Sequence, residues 1–162
     1  MSTAADLIEA LRTSGSTVAA AESLTGGRVC ATLVDVPGAS DVVLGGVVAY
    51  SAQAKVAVLG VPPELIAARG TVNADVAVAM ARAALGKFGS TYAISTTGVA
   101  GPGPHEGHPE GTVFIGFATA MTAQSWALSL SGTREDIRHE TVTHALSYLL
   151  DRVREDNLER HG

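Results

Sequence analysis

Hydroxyl, amine and glycine residues follow three apolar segments of the sequence, at the point where each segment ends. The first group is ESLTGG, the second is YSAQAK and the third is STTG. A serine hydroxyl beside a neutral lysine amine can act as a nucleophile and its base. These segment ends are therefore the first places to look for chemistry. The candidate binding residues among them are Glu22, Ser23, Thr25, Gly26, Gly27, Thr97 and Gly98.

Lys55 lies just inside a predicted helix that follows a buried strand. Burial disfavours the charged amine and could lower its pKa from about 10.4 to about 7–8, which suits a general base. The alternative is a solvated lysine on a helix surface, which is the commoner case. Tyr50 and Ser51 precede the lysine, either to orient it or as a core-edge residue and a helix cap.

The glycine pair in ESLTGG stands at a predicted turn from strand to helix. Such a turn lets backbone N–H groups bind an anion at the helix N-terminus. An ordinary helix cap by Ser23 or Thr25 explains the same residues and, for this segment alone, is the commoner case. The segment matches neither a Walker A loop nor a G-x-G-x-x-G fingerprint. The hydroxyl of Thr97 has two possible roles: it could donate a hydrogen bond to a substrate carbonyl or to a backbone carbonyl at a strand end.

Three serines are candidate nucleophiles: Ser23, Ser40 and Ser51. Ser40 stands in VPGASD, just before a strand, and is also typical of a turn. Arg134 opens the last predicted helix. Because a cation is not favoured at a helix N-terminus, its position indicates an external anion, unless it pairs with the two acidic residues that follow it.

The loop 99–111 contains His105, Glu106 and His108 among many glycines and prolines. The spacing H-E-x-H in a loop differs from the helical H-E-x-x-H of zinc enzymes. We therefore expect no metal site, and nothing in the sequence requires a cofactor.

The hydrophobic pattern alternates helices and strands and ends in a hairpin and a long helix. This order predicts a single three-layer α/β/α domain with a mixed sheet, spanning residues 1–162 with a frayed tail at about 157–162. Thr3 and Asn73 are the expected N-caps of two helices. The predicted strands are 16–23, 41–51, 90–98, 112–119 and 125–132, and the predicted helices are 3–15, 26–36, 52–60, 61–70, 71–89 and 134–156.

The composition excludes several classes of protein. With 46% hydrophobic and 17% charged residues, the chain is globular. Its net charge of −5 and lack of a dense basic patch argue against nucleic-acid binding. No apolar run is long enough to span a membrane, and the N-terminus is no signal peptide. Cys30 is the only cysteine, which fits a reducing cytoplasm.

Six motifs taken together resemble the C-terminal domain of the competence/damage-inducible protein A (CinA) family. The resemblance covers about Leu7 to Leu150, and we expect the stand-alone form without the family's larger N-terminal domain. The motifs are AAAESLTGGRVCATLVDVPGAS, GGVVAYSAQAKVAVLGV, GTVNADVAVAMA, STTGVAGPG, GTVFIGFAT and SGTREDIRHETVTHAL.

The resemblance implies a metal-independent Ser–Lys hydrolysis of the carboxamide of nicotinamide mononucleotide, a small-molecule nucleotide substrate, and it implies a homodimer. By position, Ser40 matches the nucleophile and Lys55 the base, with Tyr50 in support. Thr97 and Arg134 match further, substrate-binding residues. The alternative is an inactive nucleotide-binding or interaction module of the same fold.

The sequence departs from the family pattern in three places. Leu24 replaces a cysteine in ESLTGG, and GAS replaces GSS while keeping the second serine. Residues 108–110 read HPE where the family has Lys-Pro-Val, which exchanges a strong cation for a weaker one and adds a carboxylate. Substrate affinity or specificity could therefore differ.

Overall fold

The computed structural model describes residues 2–162, and within them it contains six α-helices, one short 3₁₀ helix and five strands. The helices are α1 (Thr3–Ser14), α2 (Arg28–Val34), α3 (Ala52–Leu59), α4 (Pro63–Arg69), α5 (Ala74–Phe88) and α6 (Arg134–His161). The strands are β1 (Val18–Glu22), β2 (Val43–Val48), β3 (Tyr92–Gly98), β4 (Thr112–Ala118) and β5 (Ala123–Ser129), and the 3₁₀ helix is Ala39–Asp41.

The five strands form one mixed sheet in the order β2-β1-β3-β4-β5. Strand β1 pairs in parallel with both β2 and β3, whereas β4 and β5 are antiparallel to their neighbours. At the end of β1, Glu22 lies opposite Val48 on one side and Thr96 on the other. The carboxyl ends of the three parallel strands therefore meet at one edge, where α/β sheets bind ligands.

Helices cover both faces of the sheet, which confirms the three-layer prediction. Ala20 and Ile94 point to the face covered by α1, α2 and α6, whereas Ala19 and Ala93 point to the face covered by α5. This alternation follows from the two-residue period of a strand. Small residues let α5 approach closely, and a side chain at Gly116 would collide with a backbone carbonyl of that helix.

Two of the helix ends test the predicted caps. Asn73 caps α5, because its Oδ1 accepts a hydrogen bond of 2.9 Å from the N–H of Val76. Helix α1 is capped by Ser2 and not by Thr3, since Ser2 Oγ accepts from the N–H of Ala5 at 3.2 Å. The helix starts at Thr3, as the predicted range does, so only the assignment of the cap was wrong.

The last helix is longer than predicted. It continues to His161, and Asn157 in the expected frayed tail donates to the carbonyl of Ala10 at 3.3 Å. This contact ties the end of α6 to α1. None of the helices within residues 2–162 combines the length and apolar character of a membrane span.

Candidate active site

Lys55 and Ser23 form a hydrogen-bonded pair at the carboxyl edge of the sheet. Ser23 directly follows β1, and Lys55 lies in the first turn of α3, which Ser51 caps. Lys55 Nζ donates to Ser23 Oγ at 2.8 Å and to the carbonyl oxygens of Ala49 and Tyr50 at 3.0 and 3.1 Å. The lysine is 1% exposed. Of the two readings of this residue, the structure supports the buried amine.

Burial lowers the pKa of Lys55 to about 8, and the negative charge of Glu106 opposes this shift only in part. The contacts of the amine are a hydroxyl and two carbonyls, with no carboxylate within hydrogen-bond distance. At pH 7 about a tenth of the amine is therefore uncharged, far more than for a solvated lysine. An uncharged Nζ can take the proton of the Ser23 hydroxyl, which is the activation step that a serine nucleophile needs.

Ser40 does not lie near Lys55, which corrects its predicted place as the nucleophile. It stands in the 3₁₀ helix before β2, whereas Lys55 follows the end of the same strand. The six residues of β2 span roughly 20 Å at about 3.3 Å per residue. Ser40 and Lys55 are therefore at opposite ends of this strand. Ser40 is exposed and lines a separate apolar cavity beside Val34 and Val36.

Glu22 binds the start of helix α2 and not the main cavity, which corrects its assignment as a substrate-binding residue. Its carboxylate accepts hydrogen bonds from the N–H groups of Gly27, Val29 and Cys30 at 3.2, 2.8 and 3.1 Å. Thr25 Oγ1 donates to it at 2.7 Å. A buried side chain thus occupies the helix N-terminus, where the sequence suggested an external anion.

Thr25, Gly26 and Gly27 have structural positions as well. Thr25 is fully buried, and its hydroxyl lies 2.8 Å from the hydroxyl of Thr96 on β3. Gly26 and Gly27 have positive φ angles of 59° and 103°, which the turn into α2 requires. None of the three lines the cavity that contains Lys55. The strand-to-helix turn therefore supports the site without forming its wall.

A cavity of about 620 Å³ opens at the Ser23–Lys55 pair. The loop Val99–Gly111 is called the Gly/Pro loop. One wall of the cavity consists of residues 99–106 of this loop, and the opposite wall is the segment Tyr50–Ala52. Its size falls within the range of small-molecule sites. The other residues named from the sequence that line it are Thr97, Gly98 and Arg134.

Arg134 closes the rim of the cavity between its two walls. Its guanidinium donates to the hydroxyl of Tyr50 at 2.9 Å and to the carbonyl of Gly101 in the Gly/Pro loop. Tyr50 is 61% exposed, so its ring stands at the rim and not in the core. The neighbouring acids of Arg134 do not pair with it. The structure thus brings Tyr50, Lys55 and Arg134 to one site.

Thr97 and Gly98 hold the end of β3. The hydroxyl of Thr97 donates to the backbone carbonyl of Thr71 at 2.7 Å. Of the two roles considered from the sequence, the observed one is therefore a bond to a backbone carbonyl. Gly98 has no room for a side chain, since a Cβ would lie 2.7 Å from the carbonyl of Thr112 on β4. These two residues shape the cavity floor through the backbone.

Sequence reasoning missed the role of Glu106. It treated this residue only as part of a rejected metal motif, but the carboxylate lines the cavity and binds Thr71. His105 and His108 pair through their backbones as a tight turn. Within residues 2–162, no group of three His, Cys, Asp or Glu side chains is arranged to hold a metal ion. No sequence signal linked Glu106 to Thr71, because 35 positions separate them.

The fold and the site define an α/β domain in which a buried lysine donates a hydrogen bond to a serine hydroxyl at the ends of parallel strands. The chain belongs to the CinA C-terminal domain family, whose model matches residues 1–153. It is 45% identical over 150 residues to a competence-damage inducible protein of Geobacillus kaustophilus, covering 92% of this chain and 36% of that protein. It is also 45% identical over 130 residues to a CinA-like protein of Frankia casuarinae, covering 80% of this chain and 30% of that protein.

Solved structures of the same superfamily share the whole fold. A CinA superfamily protein from Klebsiella pneumoniae superposes with a TM-score of 0.92 at 28% identity, covering 94% of this chain and 96% of that one. A competence/damage inducible protein from Agrobacterium tumefaciens gives a TM-score of 0.85 at 31% identity, covering 93% and 96%. The chain spans only about a third of the length of the curated relatives it matches.

Proposed function

We propose that this domain is an amidase that hydrolyses the carboxamide of nicotinamide mononucleotide to nicotinate mononucleotide and ammonia, as a step of pyridine-nucleotide salvage. The observation that carries the proposal is the buried hydrogen bond between Lys55 Nζ and Ser23 Oγ at the cavity. The reaction type rests on this pair. The substrate rests on the family resemblance, and the cavity volume of about 620 Å³ is compatible with a mononucleotide.

In the proposed mechanism, Ser23 replaces Ser40 as the nucleophile. Neutral Lys55 takes the hydroxyl proton as Ser23 Oγ attacks the amide carbon, and a tetrahedral oxyanion forms. The C–N bond then breaks, the ammonium of Lys55 protonates the leaving nitrogen, and ammonia departs from an acyl-enzyme. Water attacks the ester, Lys55 takes its proton and returns one to Ser23, and the carboxylate product leaves.

The N–H group of Leu24 is a candidate donor to the oxyanion. Leu24 follows the serine directly and lines the cavity. Its N–H has no hydrogen-bond acceptor among residues 2–162, whereas the N–H of Ser23 is bound to the carbonyl of Thr96 at 3.1 Å. A backbone donor next to the nucleophile is a common component of oxyanion holes.

The decisive experiment is incubation of the protein with nicotinamide mononucleotide and measurement of both products. The proposal predicts ammonia and nicotinate mononucleotide in equal amounts. Calorimetric binding without turnover would instead support the alternative, an inactive nucleotide-binding module. Neither binding nor turnover would support an interaction domain.

We further propose that the domain pairs with a second copy along the edge strand β2. Large apolar side chains stay exposed on this strand and around it, at Val34, Leu44, Val48, Tyr50 and Val58. Exposed apolar patches next to an open strand edge favour association. The segment 42–50 contains no charged residue, so an antiparallel pairing about a twofold axis meets no like-charge repulsion.

A further inference from the structure

Glu106 is the only carboxylate among the residues 2–162 that line the cavity, where the other ionisable groups are Tyr50, Lys55, His105 and Arg134. Glu106 forms no ion pair with any lysine or arginine of the described residues. The ring of His105 lies beside it, with Nε2 at 3.6 Å from Oε1, and this ring is largely exposed. About a quarter of the Glu106 side chain, 27%, remains exposed. The cavity therefore contains a carboxylate that forms no ion pair with any lysine or arginine of residues 2–162.

Local contacts hold this carboxylate in place. The N–H and the hydroxyl of Thr71 donate to its two oxygens at 2.7 and 2.9 Å. Gly70 leaves the space that the carboxylate fills, because a Cβ there would collide with Glu106 Oε2. Glu106 itself has a φ of 51°, a left-handed conformation that is uncommon for residues other than glycine and often found at functional sites.

The same contacts keep Glu106 ionised. Partial burial acts to raise its pKa, but the hydrogen bonds from Thr71 outweigh burial and lower the pKa below its ordinary value. The charge also reaches the catalytic pair, because it counters part of the effect of burial on Lys55. Glu106 thus presents a negative charge to the same cavity that Ser23 and Lys55 line.

We propose that Glu106 is a specificity-determining residue that selects carboxamides on a positively charged ring, N1-substituted pyridinium compounds, over neutral ones. This inference rests on the proposed amidase function. A pyridinium ring gains Coulomb energy from a nearby carboxylate in a cavity of reduced dielectric, whereas a neutral ring of the same shape does not. Hydrolysis adds a negative charge to the ring substituent, which Glu106 repels, so the same residue favours product release.

The test compares two ligands that differ in ring charge, nicotinamide mononucleotide and its reduced 1,4-dihydro form, which has a neutral ring. Binding is measured by calorimetry in the Ser23→Ala background, so that no turnover is required. We expect the cationic form to bind at least about tenfold more tightly, and Glu106→Gln to reduce this preference to about threefold or less. Glu110→Gln is the matched control, since Glu110 accepts from the N–H of Gly103 in the same loop but does not line the cavity.

A second readout is the ratio of kcat/KM for the two nucleotides in otherwise wild-type protein. Comparing Glu106→Gln with wild type cancels the different intrinsic reactivity of the two amides. An unchanged ratio, with activity retained, would overturn this inference and leave the amidase proposal intact. If the wild-type protein neither binds nor hydrolyses either nucleotide, the proposed function and this inference both fail.

Discussion

Lys55 Nζ donates to Ser23 Oγ across 2.8 Å, although 32 positions separate the two residues in the sequence. The parallel pairing of β1 and β2 produces this contact, because it places the residue after β1 beside the turn that follows β2. The carbonyl groups of Ala49 and Tyr50 fix the amine from the other side. A pair fixed by backbone contacts in this way is preorganised for proton transfer.

The pH dependence of the activity should follow the protonation of Lys55. Only the neutral amine can accept the serine proton, and its pKa is about 8. We therefore expect kcat/KM to rise about tenfold per pH unit below pH 8 and to level off above it. Initial rates across this range check the prediction, and a rate that falls between pH 7 and 8 would contradict it.

The buried lysine should also change stability with pH. Its pKa in the folded protein, about 8, is below the ordinary value of 10.5, so between these values the unfolded chain binds more protons than the folded one. The free energy of unfolding contributed by Lys55 is therefore lowest below pH 8 and rises toward pH 10.5. Urea unfolding should show wild type gaining stability relative to Lys55→Met from pH 8 to 10. An equal difference at both pH values would refute this.

Replacing Glu22 should cost stability and not substrate affinity. Glu22→Ala leaves the buried N–H groups of Val29 and Cys30 without an acceptor, at an expected cost of about 3 kcal/mol or more in the free energy of unfolding. The exposed Glu140→Ala is the control and should change it by less than about 0.5 kcal/mol. Raised KM with unchanged stability would restore the original assignment of Glu22 to substrate binding.

Arg134 should bind the phosphate of the substrate. Its guanidinium is at the rim, where a phosphate on the ribose could replace its contact with Tyr50. We expect Arg134→Ala to raise KM for nicotinamide mononucleotide about tenfold with a smaller change in kcat. The riboside, which lacks the phosphate, should be hydrolysed equally by both proteins. Arg154→Ala, at an ion pair with Asp6, is the control. An equal loss with both substrates would exclude a phosphate contact.

A charge on the edge strand should separate the proposed dimer. Val48 is exposed on β2, and Val48→Lys would place one charge from each copy in the apolar surface that the proposed pairing buries. Light scattering should give twice the chain mass of 16.5 kDa for wild type and a single chain mass for the variant. Met121→Lys, at an exposed position away from β2, should remain a dimer. A monomeric wild type would contradict the proposal.

The meeting of three strand ends could be predicted from the sequence. Ser23 follows β1, Tyr50 follows β2 and Thr97 lies near the end of β3, and parallel strands place such residues at one edge. The position of Ser40 could also have been excluded from the sequence, because it precedes the strand that Lys55 follows. Ser40 was assigned only from its position in the family motif, and the length of β2 between Ser40 and Lys55 was not taken into account.

Other features depend on tertiary contacts that no local pattern contains. The carboxylate of Glu22 finds its donors in the helix that follows it, but its burial depends on the whole sheet. Glu106 reaches Thr71 across 35 positions, through a loop that also binds Arg134 at the start of α6. Sequence reasoning could name these residues but could not assign their roles.

Ser23, activated by Lys55, is the proposed nucleophile. The most direct test is kcat for nicotinamide mononucleotide in Ser23→Ala and Ser40→Ala, measured beside wild type. We expect a loss of about 1,000-fold or more for Ser23→Ala and a change of less than about threefold for Ser40→Ala. Wild-type activity in Ser23→Ala, or a loss of activity only in Ser40→Ala, would show that Ser23 is not the nucleophile.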